Sequence, residues 1–558
     1  MSLPDFNSQI ELLGLQLQRD RLFEARDRYR LFAEKVYPVL IKARGRLEAC
    51  YCAENGRPAK EPVLVLGVSL LQFMERLPDR QAVEHLKYHV GWKYALGQEL
   101  DGEIFDATVL VRFRQRLLEQ GRERVIFEEV LGALEEAGLV AKRGSAQRLD
   151  STHVLGLVKR MSTLDRAREV LRMVLKALAE EKLKKRPDFW QTLWERYVES
   201  AIDFRSAADV IQKKLAQAGQ DMQILLQWLD GQKVKRGPKS KSSIDLLRTM
   251  FAENFIVEAA TQEPVVVKGQ TGESRIQNPH DPDASYRAKG EKKWVGYAVQ
   301  VAEALPTDEA GEPEKGAGFI TSMVSHTARG SDEAGMQKTF DEQREMGFDK
   351  PKALFVDTAY VSAAELATAR EEKRELVGPV MPSHVPKGGY SVEEFRVDIA
   401  RRRATCPSGE RSTQCSRIED RYNKKVEYRF EWSWKCGTCS LREACLGSKQ
   451  KHRTIRVRDN FMYLQARREE MKTDAFKEKM KYRAGIEGTI SELVRGYGLR
   501  QARYRGLAKM RLQSYFIGAA CNIRRWIRKL VLDIVIYVRH SLAAFGELLA
   551  SQFTHHAA

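Results

Sequence analysis

Between residues 145 and 380 the chain alternates between strand-like and helical patterns, and that order restricts the folds open to it. Ser145 to Leu155 mixes alternation with β-branched residues and reads as a strand with Asp150 in its middle. Strand-like runs follow at Gly296 to Ala302 and Gly318 to Val324, joined by a Gly/Pro/Glu loop of hairpin type. Ser331 or Asp332 can cap a helix running to about Met346. Ala353-Leu354-Phe355-Val356-Asp357 is a short apolar run ending in an acid, and a helix from Ala363 and a strand at Glu375 to Val380 complete the series. Three strands, helix, strand, helix, strand predicts an α/β fold with a mixed sheet.

The flanks read differently. Residues 7 to 58 are spaced for helix, Leu64 to Arg76 is a strongly apolar helix, and Pro78-Asp79 starts another to about Val90. Asp106 is a good N-cap for a third, Ala107 to Gln120, carrying Arg112, Arg114 and Arg116. These helices fit either a helix-turn-helix module, with Arg112 and Arg114 on DNA, or a plain bundle. The expected parts are a helical N-terminal DNA-binding region (1–144), a core (145–390) with a helical insertion (160–258), a Cys-rich insertion (391–458) and a C-terminal helical part (459–558). The net charge of +18 points to a polyanionic partner, nucleic acid first. No run of about 18 uncharged apolar residues exists, so a membrane partner is not expected. Leu530 to Val538 contains Asp533 and reads as part of a buried C-terminal helix. The N-terminus lacks the pattern of a signal peptide, and the expected location is cytoplasmic, with the nucleoid.

Lys481 to Arg495 reads as a helix stopped by Gly496-Tyr497-Gly498, with Arg483, Glu487, Ser491 and Arg495 along one face. Asp150 inside a strand, Asp357 at the end of another and Glu487 on this helix form a set. A bare Asp in a buried strand is costly, and metal removes that objection. Two Mg²⁺ (or Mn²⁺) about 3.5–4 Å apart, held by three carboxylates, can clamp the attacking and leaving oxygens of a phosphodiester. Taken singly, each acid is equally a strand-end or helix-face charge. Arg483 and Arg495 would contact phosphate beside the cut, and Arg500, Arg503, Tyr504, Arg505 and Lys509 would follow the DNA backbone.

Leu149-Asp150-Ser151-Thr152, Leu354-Phe355-Val356-Asp357-Thr358-Ala359-Tyr360, and Tyr482-Arg483 with Ile486-Glu487-Gly488 resemble the three blocks of bacterial insertion-sequence DDE transposases. Leu70-Leu71-Gln72-Phe73, Asp79-Arg80 and Asp106 through Arg114 resemble the helical domain that precedes the catalytic domain in many of them. The resemblance implies a ribonuclease-H-like core, Mg²⁺ dependence and action on double-stranded DNA at transposon ends, with a homodimer pairing two ends. The related signature places Lys where Val494 stands here, with Arg495 beside it. Glu492 is a rival third acid, off the Arg483/Arg495 face, and Glu487 is preferred. A catalytically inactive DNA-binding derivative and a nuclease without strand transfer are the competing functions.

Cys406, Cys415, Cys436, Cys439 and Cys445 lie between the second Asp and the Glu. Cys436-Gly437-Thr438-Cys439 is a knuckle of the type that holds tetrahedral Zn²⁺, and Cys406 and Cys445 would complete the set, with Cys415 and His452 as substitutes. Reduced thiols without metal are the alternative. A similar Cys-rich insertion occurs at this place in one group of the transposases named above.

Overall fold

The computed structural model describes residues 22–555 except 53–57, 103, 182–185, 201–206, 233–236, 268–274, 309–311, 384, 386–388, 420–425 and 448–449. Residues 7–21 and 53–57 of the stretch expected to be helical therefore lie outside the described residues.

The expected mixed sheet is present, in a ribonuclease-H-like arrangement. Its strands are β1 (Ala146–Leu155), β2 (Ser285–Lys289), β3 (Lys292–Ala304), β4 (Phe319–Thr327), β5 (Ala353–Phe355) and β6 (Glu375–Val377). The order is β4-β3-β1-β5-β6, with β2 paired to the start of β3. β3 runs antiparallel to β1 and β4, whereas β5 is parallel to β1 and β6 to β5. Asp150 sits opposite Val301 in the centre of the sheet.

N-terminal helices are α1 (Tyr37–Leu47), α2 (Pro62–Glu75), α3 (Asp79–Tyr88), α4 (Thr108–Glu119) and α5 (Val125–Glu136). α2 is apolar all round because it is enclosed all round: every residue from Pro62 to Met74 is buried. An insertion after β1 contains α6 (Thr163–Glu180), α7 (Ala208–Asp230) and α8 (Pro238–Asn254), with its own apolar core of Val170, Leu171, Met222, Leu225, Leu247 and Met250. α9 (Asp332–Glu345) and α10 (Ala363–Glu371) belong to one face of the sheet, where Met336, Phe340 and Leu366 meet Leu149, Ala302 and Leu354. A smaller sheet of β7 (Gln414–Glu419), β8 (Val426–Glu431) and β9 (Thr454–Arg458) surrounds Phe395, Phe430, Trp432 and Ile455. α11 (Phe461–Met471), α12 (Asp474–Tyr497) and α13 (Leu507–His555) complete the chain.

The other face of the sheet shares one apolar core with the N-terminal helices and with α12 and α13. Phe73 of α2 stacks on Phe516 of α13 at 5.2 Å, and Val301, Ile320 and Met323 join the same cluster. α13 corrects one expectation. Trp526 and Ile527 are buried, but Leu532, Ile536, Tyr537 and Val538 are exposed, because the helix runs on past the body that covers its first half. Among the described residues no helix is long and apolar enough to cross a membrane.

Candidate active site

α12 lies close against the sheet because Gly485 lacks a side chain. A Cβ there would overlap the guanidinium of Arg148, which reaches up from β1 to donate to the Tyr482 carbonyl at 3.2 Å and to that of Gly316 at 2.7 Å. Arg148 also pairs through Nε with Glu303 Oε2 at 2.6 Å. Glu303 is fully buried beside a register shift in β3 and is saturated: Arg525 Nη1 is 2.6 Å from Oε1, the Gly318 N–H donates at 2.8 Å, and Thr489 Oγ1 is 2.9 Å from each oxygen. Arg525 extends the network to Glu492 at 2.8 Å, and Arg528 reaches Glu492 from outside at 3.2 Å. α12 is thus clamped to β1, β3 and α13 by paired buried charges. It ends at Gly498, whose φ of 74° is the left-handed conformation that glycine adopts freely.

The clamp sets Arg483 and Glu487 above the end of the sheet. Arg483 Nη2 lies 3.1 Å from Asp150 Oδ2 and 3.9 Å from Asp357 Oδ2, and its Nη1 lies 2.9 Å from Glu487 Oε1. The three acids named from sequence therefore meet around one guanidinium. Exposure grades across them: the side chains of Asp150, Asp357 and Glu487 are 17%, 41% and 65% exposed. Backbone N–H groups orient the two aspartates, Ser151 donating to Asp150 Oδ1 at 2.7 Å and Thr358 to Asp357 Oδ1 at 2.6 Å. Burial pushes the Asp150 carboxyl above its ordinary value; the Ser151 N–H and Arg483 pull it back, and Asp357 and Asp332 push it up. Glu492, the rival acid, is committed to Arg525 and Arg528 instead.

Sequence reasoning missed Asp332. Its Oδ1 accepts a hydrogen bond from Ser151 Oγ at 2.9 Å, and its Oδ2 lies 3.5 Å from Arg287 Nη2. The available signal was its place at a helix start, which the spacing could assign only to capping.

The structure redirects much of the expected DNA-contact set. Arg483 faces carboxylates, not open solvent. Arg114 is buried in an ion pair with Asp79, and its guanidinium lies 5.2 Å from the centre of the Tyr504 ring. Arg503 donates to the Leu77 carbonyl at 2.9 Å and covers the Phe73 ring. Arg500 holds His153, donating to its carbonyl at 2.8 Å, while its own carbonyl accepts from Leu155 N–H, so the segment extends the end of β1. Gly506 and Leu507 N–H groups are received by Asp281 at 3.2 Å and Asp283 at 2.8 Å, which fixes the start of α13. Arg500, Arg503 and Tyr504 therefore tie α2, α4 and β1 together, and a mixture of basic and aromatic residues does not reveal that their partners lie elsewhere in the chain. Arg112, Arg495, Arg505 and Lys509 are exposed and remain available to phosphate.

In the smaller unit Cys406, Cys436, Cys439 and Cys445 line one small cavity together with Ser408, and Cys415 does not. Cys406 Sγ is 3.0 Å and Cys439 Sγ 3.5 Å from Ser408 Oγ. Burial, and then the neighbouring Cys436, Cys406 and Cys439, push the Cys445 thiol up against the pull of Arg453. Among the described residues no three His, Cys, Asp or Glu side chains close on a point as the ligands of an ion do.

Two family models match the chain. A transposase DDE domain matches residues 405–527, a span containing Arg483, Glu487 and the cysteine cavity, and a transposase domain matches residues 17–116, the helices up to α4. Over these two spans the chain is similar to the DDE transposases. Asp150 and Asp357 lie outside both matches, and geometry alone joins them to Glu487. No curated protein and no solved structure matches the chain. Transposition is the function that these domains carry, and divalent metal ions are what DDE transposases use.

Proposed function

We propose that this transposase binds the terminal repeats of its insertion sequence, cuts a phosphodiester at each end and joins the freed 3′-OH to target DNA. Asp150, Asp357 and Glu487 are the residues that hold two Mg²⁺ or Mn²⁺. The carrying observation is that these three acids, from β1, the end of β5 and α12, surround a single cation, the Arg483 guanidinium. An all-carboxylate donor set suits a hard divalent ion, and the positive charge already drawn among the acids is what such an ion provides. When bound, the ions supply Lewis acidity and an activated water at neutral pH.

The protein's own contribution is placement. Asp150 is held by its strand and by the Ser151 N–H, Asp357 by the Thr358 N–H, and Glu487 by the clamped helix. Arg483 pairs with the three acids and, with ions held there, would be available to phosphate, as is the exposed Arg495 on the same helix. Arg112, Arg505 and Lys509 are the remaining phosphate contacts, with residues 1–144 as the end-binding region. Two copies, one per end, make the joining complex.

The test uses the full-length protein, DNA carrying the element's own ends, and Mg²⁺. Specific cleavage, and joining of pre-cut ends to a plasmid, are expected. Tight binding without cleavage would instead identify the inactive DNA-binding derivative, and cleavage without joining would identify a nuclease.

A structural Zn²⁺ at Cys406, Cys436, Cys439 and Cys445 is the second part of the proposal, supported by their sharing one cavity. Elemental analysis of the purified protein is expected to find about one Zn²⁺ per chain, as a single four-thiolate site requires. Zinc content unchanged in Cys436→Ser would refute this ligand set.

A further inference from the structure

Asp332 opens α9, but Ser331 caps that helix, its Oγ accepting from the Ala334 N–H at 3.1 Å. The Asp332 carboxylate is therefore free for another role, and it turns to β1. Its side chain is only 11% exposed, which is costly for a charged group unless something positive faces it. Arg287, 3.5 Å away, is the basic side chain paired with it, and Arg287 commits Nη1 to the carbonyls of Ala328 and Gly330. The N-terminus of α9 adds a partial positive charge beside Asp332.

Ser151, which donates to Asp332, is the neighbour of Asp150 on β1. Below them Tyr360 is buried, its hydroxyl donating to Gln300 Oε1 at 2.5 Å. Asp150, Asp357 and Glu487 face Arg483, and Asp332, one strand residue away through Ser151, faces Arg287.

We propose that Asp332 is a fourth carboxylate of the cation site, tied to Asp150's strand through Ser151. This rests on the assignment of divalent ions to Asp150, Asp357 and Glu487. With an ion held there, Asp332 would add negative charge to the site, and Ser151 would hold its carboxylate in place.

The test is a Mn²⁺ titration of the full-length protein without DNA, followed by the electron paramagnetic resonance signal of free Mn²⁺, with thermal melting in parallel. Asp332→Asn is expected to weaken Mn²⁺ binding by about tenfold, the lower end of what loss of a supporting partner costs a metal site. Asp332→Glu, which keeps the charge, is expected to stay within about threefold of wild type, and Ser151→Ala to fall between the two. Wild-type affinity in Asp332→Asn overturns the proposal. If Asp332→Asn melts early, Ser151→Ala decides, and wild-type affinity there overturns it. Mn²⁺ binding that is indifferent to Asp150→Asn and Asp357→Asn would instead remove the cation site itself, a different failure read in the same experiment.

Discussion

Asp357→Ala is expected to lower cleavage of terminal-repeat DNA by about 10³-fold, the several kcal/mol that a bound divalent ion contributes taken at ~1.4 kcal/mol per tenfold. DNA affinity and melting temperature are expected to stay near those of wild type. Asp357 is the cleanest of the acids to remove. Its side chain is 41% exposed, and its carboxylate accepts from the Thr358 N–H and faces Arg483 only at 3.9 Å. Asp150→Ala would lose activity too, but it also removes a largely buried partner of Arg483. The paired comparison is Glu487→Ala with Glu492→Ala. Glu487 is exposed and bonded to Arg483, so its loss is expected to cost cleavage and little stability. Glu492 holds Arg525 and Arg528, so its loss is expected to cost stability while the folded fraction still cuts. Cleavage rates per folded molecule, measured with melting curves, separate the two, and full cleavage in Glu487→Ala would displace it from the site.

Glu303→Ala is expected to destabilise the protein by roughly 3–5 kcal/mol, the usual result of removing one side of a buried ion pair. The magnitude follows from what is left behind. Arg148 and Arg525, buried at 2.6 Å from the missing oxygens, would keep their charges without their partner, and the Gly318 N–H and Thr489 hydroxyl would lose an acceptor. Glu303→Gln retains acceptor capacity but not the charge, so an intermediate loss is expected. Chemical denaturation followed by circular dichroism measures both. Wild-type stability in Glu303→Ala would mean that the clamp does not hold α12. Since Arg483 and Glu487 ride on that helix, weakened cleavage is expected even in the folded fraction.

The sheet was legible because its signals are local. Ser145 to Leu155 carries strand residues around Asp150, and Ala353 to Asp357 is an apolar run that ends where the chain turns. The clamp was not legible. Arg148 and Glu303 are 155 positions apart, and each looks like one more surface charge until β3 is laid beside β1. Charge was misleading for a related reason. Arg503 bonds the Leu77 carbonyl 426 positions away, so its basic, aromatic setting suggested DNA where the structure has an internal seam. Apolar content misled in the other direction at Leu532 and Ile536, which a helix exposes once it outruns its neighbours. Asp332 was visible only as a helix start, because nothing local distinguishes a capping acid from one that turns back to the sheet.

The third acid arrives late in the chain. β1, the helical insertion, the end of β5 and the cysteine cavity are all made before α12, and α13, which holds Arg525, comes after it. Synthesis proceeds from the N-terminus, and units with their own cores fold as they appear. The insertion and the Cys-rich unit each have such a core, so they can settle early without completing anything that cuts. A chain ending before α12 would carry Asp150 and Asp357 but lack Glu487, and would leave open the apolar core that α12 and α13 share with the sheet. On the proposed reading, cleavage waits on α12, the helix that follows the Cys-rich unit and α11.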